Sequence, residues 1–220
     1  MQALGETIFD IFYLTGVIAA GVIMYQRGRN NALVRKFGLM AILLGAGDSF
    51  HLVPRMYALW TTGLEANAAA LGIGKLITSV TMTVFYLILY YIWRERYRIQ
   101  GRQSLTIFMW MLTIMRIGLC LLPQNDWLGY HQPLFWGILR NVPFAVMGII
   151  IIILFHQETK RSEDQVFRFM ALAIILSFGF YIPVVLFASA IPLLGMLMIP
   201  KTLAYVWIVR MGWQLSRNAK

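Results

Sequence analysis

PLFWGILRNVPFAVMGIIIIILF, residues 133–155, is 23 residues long and holds a single charge, Arg140. As a helix it extends about 34 Å at ~1.5 Å per residue, enough to cross the roughly 30 Å hydrocarbon core of a bilayer. The rest of the chain repeats the pattern. Apolar runs bounded by polar breaks fall at 7–25, 37–60, 71–93, 104–122, 133–155, 167–188 and 191–213, which predicts seven spanning helices. Composition agrees: of 220 residues 60% are hydrophobic and 13% charged, whereas a soluble domain carries about a quarter charged. The expected fold is all-α, a polytopic membrane protein forming one seven-helix transmembrane domain over residues 1–220. No linker or low-complexity segment marks a second domain.

The polar breaks alternate in charge. QRGRNNALVRK (26–36), RERYRIQGRQ (94–103), HQETKRSEDQVFR (156–168) and the tail from Arg210 hold fourteen of the nineteen Lys and Arg. The start of the chain, TTGLEANAAA (61–70), PQNDWLGYHQ (123–132) and a tight ASAIP turn (188–192) hold none. Short basic loops stay cytoplasmic, so the amino terminus is expected outside and the carboxyl terminus inside, in the cell membrane. The net charge of +10 is then mostly topological. Membrane lipids, with anionic headgroups, are the expected partners of the basic loops, and nucleic acid is not. A lone cysteine, Cys120, excludes a disulfide framework. No cleavable signal peptide is expected, because the first basic residue, Arg27, follows the first apolar run. Oligomeric state is not readable.

Five cations fall inside the runs, on five different spans: Arg55, Lys75, Arg116, Arg140 and Lys201. Depth counted along each helix puts all five at or outside the midplane, with Arg116 and Lys201 deepest. A charge at the bilayer centre costs at least ~2.5–3.5 kcal/mol, so none should face lipid. In GAGDSFHLVPRMYALW (45–60), Asp48, His51 and Arg55 cover a helix face only about 60° wide, which must look into the bundle. Pro54 leaves the carbonyl of Phe50 without its helical partner. Asp48 and Asp10 are the expected charge partners, and roughly two or three cations remain without an acid. An outward-facing pocket is therefore expected, lined by Arg55, Lys75, Arg116, Arg140, Asn141 and Lys201. Its expected ligand is a small anion or an anionic amphiphile carrying phosphate, carboxylate or sulfonate, which guanidinium groups match bidentately.

The inner halves of the spans are nearly pure hydrocarbon, which disfavours a polar route through the membrane and favours a ligand with an acidic head and an apolar tail. A receptor or lipid-handling role follows. A membrane enzyme acting on a lipid phosphate or acyl ester is an alternative, with His51 and Asp48 as weak catalytic candidates. No metal site or cofactor is expected, since no ligand pair shows metal-type spacing. The layout of spans, with GIGKLITSV (72–80) and MIPKTLAYV (198–206) in corresponding third helices, is similar to the three-plus-one-plus-three arrangement of SWEET-type sugar transporters. That resemblance implies small-solute transport, but the family's Pro-Gln signature is missing from the expected helix positions. Seven spans with Lys201 in the last are also similar to retinal-binding rhodopsins. This second resemblance implies a Schiff base on Lys201 with Asp48 as counterion, although the usual carboxylate of the third helix is absent.

Overall fold

A computed structural model describes residues 2–187 and 191–218. Seven α-helices run through them: α1 Gln2–Arg27, α2 Ala32–Trp60, α3 Ala68–Arg96, α4 Gln103–Leu121, α5 Leu134–Arg161, α6 Met170–Phe187 and α7 Met198–Asn218. Short 3-10 turns lie at Gly28–Asn30, Pro123–Asn125 and Pro192–Leu197. Seven helices are long and apolar enough to cross a membrane. Each helix packs on the next in sequence, and α1 closes onto α7. The amino terminus and the loops after α2 and α4 share one end of the bundle. The loops after α1, α3 and α5 share the other, basic end.

α3 is the central helix, touching α2, α4 and α5. Phe85, Tyr86, Leu89, Tyr90, Ile92 and Trp93 on its second half are fully buried. Without a hydrophobic drive between helices in lipid, close approach depends on small residues. α1 and α2 meet at Gly38, where a Cβ would run into the backbone of Tyr25. α2 and α3 meet at Gly74, where a Cβ would run into the Phe50 carbonyl and, at 2.7 Å, the Cα of His51. That carbonyl is the one Pro54 leaves unpaired within α2.

Polar contacts fix the basic end. Asn31 caps α2 by accepting from the Val34 amide at 3.2 Å. Lys36 pairs with Glu95 across α2 and α3. Arg96 donates to Asp164 at 2.8 Å, and Tyr97 donates to the same carboxylate oxygen at 3.2 Å. The other oxygen of Asp164 accepts from the amides of Val166 and Phe167. Burial pushes the Asp164 carboxyl up, but the hydrogen bond and charge of Arg96, together with those two amides, outweigh it. Its pKa is held below the ordinary carboxylate range.

The helix limits depart from the apolar runs for local reasons. The sixth run starts at 167, whereas α6 starts at Met170, because Asp164 organises a turn first. The seventh run starts at 191, whereas α7 starts at Met198. Pro192 opens a 3-10 segment, and Pro200 is tolerated in the first α turn, where its missing N–H has no intrahelical partner. α5 continues past its apolar run through HQETKR, where Gln157, Glu158, Lys160 and Arg161 are good helix formers. Of the predicted ASAIP turn, residues 188–190 lie outside the described residues.

Candidate functional site

Charged side chains inside the helices gather toward the amino-terminal end, in two groups. The first joins α1, α2 and α7. Asp48, His51 and Arg55 share one face of α2 and turn toward neighbouring helices. Arg55 donates from Nε to Glu6 Oε2 at 3.0 Å, and its Nη2 lies 3.0 Å from the same oxygen. Asp10, buried one turn further along α1, is within electrostatic reach of Arg55. Tyr13, next on that face, donates its hydroxyl to Asp48 at 2.6 Å. Lys201, in the first turn of α7, lies within electrostatic reach of Asp48 and rests on the rings of Tyr181 and Tyr205, 4.8 and 5.5 Å from their centroids. This group is nearly balanced in charge.

The second group joins α3, α4 and α5. Arg140 donates from Nη1 to the side-chain oxygen of Asn125 at 2.7 Å and stacks 4.2 Å from the Trp127 ring centroid. Asn125 is itself fully buried. It ends α4 by donating to the carbonyls of Leu119 and Leu122 at 2.7 and 2.8 Å, while the Trp127 indole donates to that of Cys120 at 2.8 Å. The 123–127 segment is thus a folded cap that holds Arg140 in place. Arg140 lies within electrostatic reach of both Lys75 and Arg116. Lys75 is exposed and makes no side-chain hydrogen bond among the described residues.

Arg116 is the outlier. It is 2% exposed, and its guanidinium lies face-on to Phe144, 3.6 Å from the ring centroid. Phe144 belongs to an aromatic cluster with Tyr86, Phe178 and Tyr181. Both Nε and Nη1 of Arg116 are buried without a hydrogen-bond partner. Such a group costs about 1–3 kcal/mol per unmet donor, and more when charged. A stacked ring returns ~2 kcal/mol when desolvated but satisfies no N–H. Among the described residues His51 Nδ1 is the other unpartnered buried side-chain atom, within electrostatic reach of Lys75 and Arg55.

Asn141 donates to its own helix at the Gly137 carbonyl, 2.8 Å away, and accepts from the Tyr181 hydroxyl at 3.3 Å. Tyr181 thereby links α5 to Lys201, and it is an electrostatic neighbour of Arg116 and Arg140 as well. Two open depressions on the surface run along α4, one from Thr106 to Met115 and one by Tyr91 and Arg94. Neither includes any of the five cations. No group of three or more His, Cys, Asp or Glu that could hold a metal occurs among the described residues.

Several participants have no mark in the sequence reading. Glu6 was absent from the expected charge partners, yet it is the acid that takes Arg55. Its position four residues before Asp10 and seven before Tyr13 places all three on one helix face, a periodicity the chain does display. Tyr181, Tyr205 and Asn125 carry no such signal, because their roles depend on how α5, α6 and α7 come together. No family model, no curated protein and no solved structure matches this chain.

Proposed function

We propose that this chain is a multi-pass cell-membrane protein with its amino terminus outside, and that it binds an anionic amphiphile at the cationic end of the bundle in a receptor or lipid-handling role. The observation that carries the reading is Arg116. A buried guanidinium with two unmet donors and no carboxylate beside it is costly to keep. An anion that accepts from it removes that cost and gains charge-assisted hydrogen bonds. The apolar bodies of the seven helices suit the tail of such a ligand. Orientation follows from the basic end, whose loops carry the Lys and Arg that favour the cytoplasmic side.

Native mass spectrometry of gently solubilised protein tests this. An anionic lipid or lipid-like metabolite should remain bound to the wild type and be depleted in Arg116→Met. Equal retention by both proteins, or no bound anion in either, removes the reading. Reporters fused at Ala66 and at Glu163 should fall on opposite sides of the membrane, with Glu163 cytoplasmic.

A further inference from the structure

Resting on the proposed anion site, a narrower assignment follows from how acids and cations are distributed. We infer that the ligand's head is a phosphomonoester-type dianion held by Lys75, Arg116 and Arg140, and that Arg55 and Lys201 belong to the scaffold.

The helix-borne acids at this end lie on α1 and α2, and two more, Glu65 and Asp126, lie in the loops. Glu6 bridges Arg55, Asp10 lies near it, and Asp48 accepts from Tyr13 and is within electrostatic reach of Lys201 without forming an ion pair with it. The α2 cation is therefore paired within the protein, and the α7 cation has a carboxylate in its neighbourhood. The helices of the other three cations have no such partner. α4 contains no Asp or Glu at all, and the acids of α3 and α5, Glu95 and Glu158, stand at the opposite, basic end. Asp126 in the capping loop forms no ion pair with them among the described residues. Arg140 lies within electrostatic reach of Lys75 and of Arg116, so it raises the cost of each.

Three adjacent positive charges without a carboxylate call for more than one negative charge. A carboxylate, sulfonate or phosphodiester supplies one. A phosphomonoester supplies about −1.5 to −2 near neutral pH, with three acceptor oxygens. Those oxygens match the donors on offer: Nε and Nη1 of Arg116, the nitrogens of Arg140 other than the Nη1 given to Asn125, and the Lys75 ammonium. Arg140 is already oriented for this role by Asn125 and Trp127.

The test uses the full chain, delipidated in mild detergent, and titrates it with micelles doped with phosphatidic acid, phosphatidylglycerol or oleate. Inorganic phosphate and glycerol phosphate distinguish a lipid head from a free phosphate. Phosphatidic acid should bind about tenfold or more tightly than either monoanion. Arg116→Met and Lys75→Met should each weaken it about tenfold or more, the loss expected for one charge-assisted contact. Lys201→Met should change it less than about threefold. Lys75 is exposed, so its variant reports on binding even if a change at buried Arg116 impairs folding. Soluble phosphates binding as well as phosphatidic acid, with the same dependence on Lys75 and Arg116, also support the assignment and identify the source as a free phosphomonoester. Phosphatidylglycerol or oleate binding as tightly as phosphatidic acid overturns the dianion while leaving the anion site standing. Binding abolished by Lys201→Met but untouched by Lys75→Met overturns the three-helix site. Absence of binding by every anion overturns both readings.

Discussion

Replacing Arg116 with Met should stabilise the delipidated protein and reduce its response to ligand. In the ligand-free fold the guanidinium leaves two buried donors unmet, each costing about 1–3 kcal/mol. Its stacking on Phe144 at 3.6 Å returns ~2 kcal/mol at most. Methionine keeps an apolar contact with the same ring and carries no donor, and an unbranched thioether adapts to an irregular site. Two unmet donors less the stacking leave an expected net gain of about 0–4 kcal/mol, centred on ~2. For a chain of this length ~2 kcal/mol raises the unfolding midpoint by roughly 4–8 °C, at ~2–4 °C per kcal/mol. Wild type should recover the difference when a bound anion meets the donors: a ligand at a hundred times its Kd contributes ~2.7 kcal/mol. The variant, with a Kd about tenfold higher or more, should recover ~1.4 kcal/mol at most at the same ligand concentration. Thermal unfolding followed by tryptophan fluorescence, with and without phosphatidic acid, reads both quantities. A delipidated Arg116→Met protein less stable than wild type would refute the reasoning, since the side chain would then be holding the bundle together by itself.

Three further outcomes follow from the packing. Asp164→Ala should cost about 2–4 kcal/mol, from the lost turn bonds to the Val166 and Phe167 amides and a lost charge-assisted bond to Arg96, measurable by the same melts. Because the folded pKa of Asp164 is depressed, its contribution is present above the ordinary carboxylate pKa of ~3.9 and disappears as pH falls through the lower folded value. The wild-type advantage over Asp164→Asn should therefore shrink below about pH 4, and an advantage unchanged down to pH 3 would contradict the assignment. Gly74→Ala should destabilise by about 1–3 kcal/mol because its methyl group meets the Phe50 carbonyl, whereas Gly118→Ala, with nothing within 4 Å, should be neutral or better; equal melting points would mean α2 and α3 are not in contact there. Asn125→Leu should cost about 1.5–3 kcal/mol by freeing both the end of α4 and Arg140, and Arg140→Met in the same background should add little; fully additive losses would show that the two residues act separately.

The seven helices were legible because a bilayer sets a minimum length of apolar sequence, and polar breaks, alternately basic and free of Lys and Arg, separate the runs. Legibility failed where backbone chemistry competes with hydropathy. Hydropathy does not see that Asp164 winds a turn before α6, or that Pro192 opens a 3-10 segment before α7. It also stops α5 at Phe155, where apolar residues end, although HQETKR is good helix sequence and continues to Arg161.

The candidate site divides differently. That five cations sit on five helices is a fact of sequence, and the period of 3.6 residues was enough to put Asp48, His51 and Arg55 on a common face. What sequence could not supply is which acid reaches which cation. Asp10 was the expected acid of the first helix, but Glu6, one turn nearer the end, is at the height of Arg55 and takes it. With that pair made and Asp48 beside Lys201, the surplus charge is no longer spread over the end of the bundle. It is confined to Lys75, Arg116 and Arg140, on three consecutive helices that have no acid at this end. A purely structural network would place a carboxylate among them, and α3, α4 and α5 carry none at this end. An asymmetry that costs stability in the empty protein is what the proposed site accounts for: on that reading an anion brought in from outside the chain offsets the cost of the three cations.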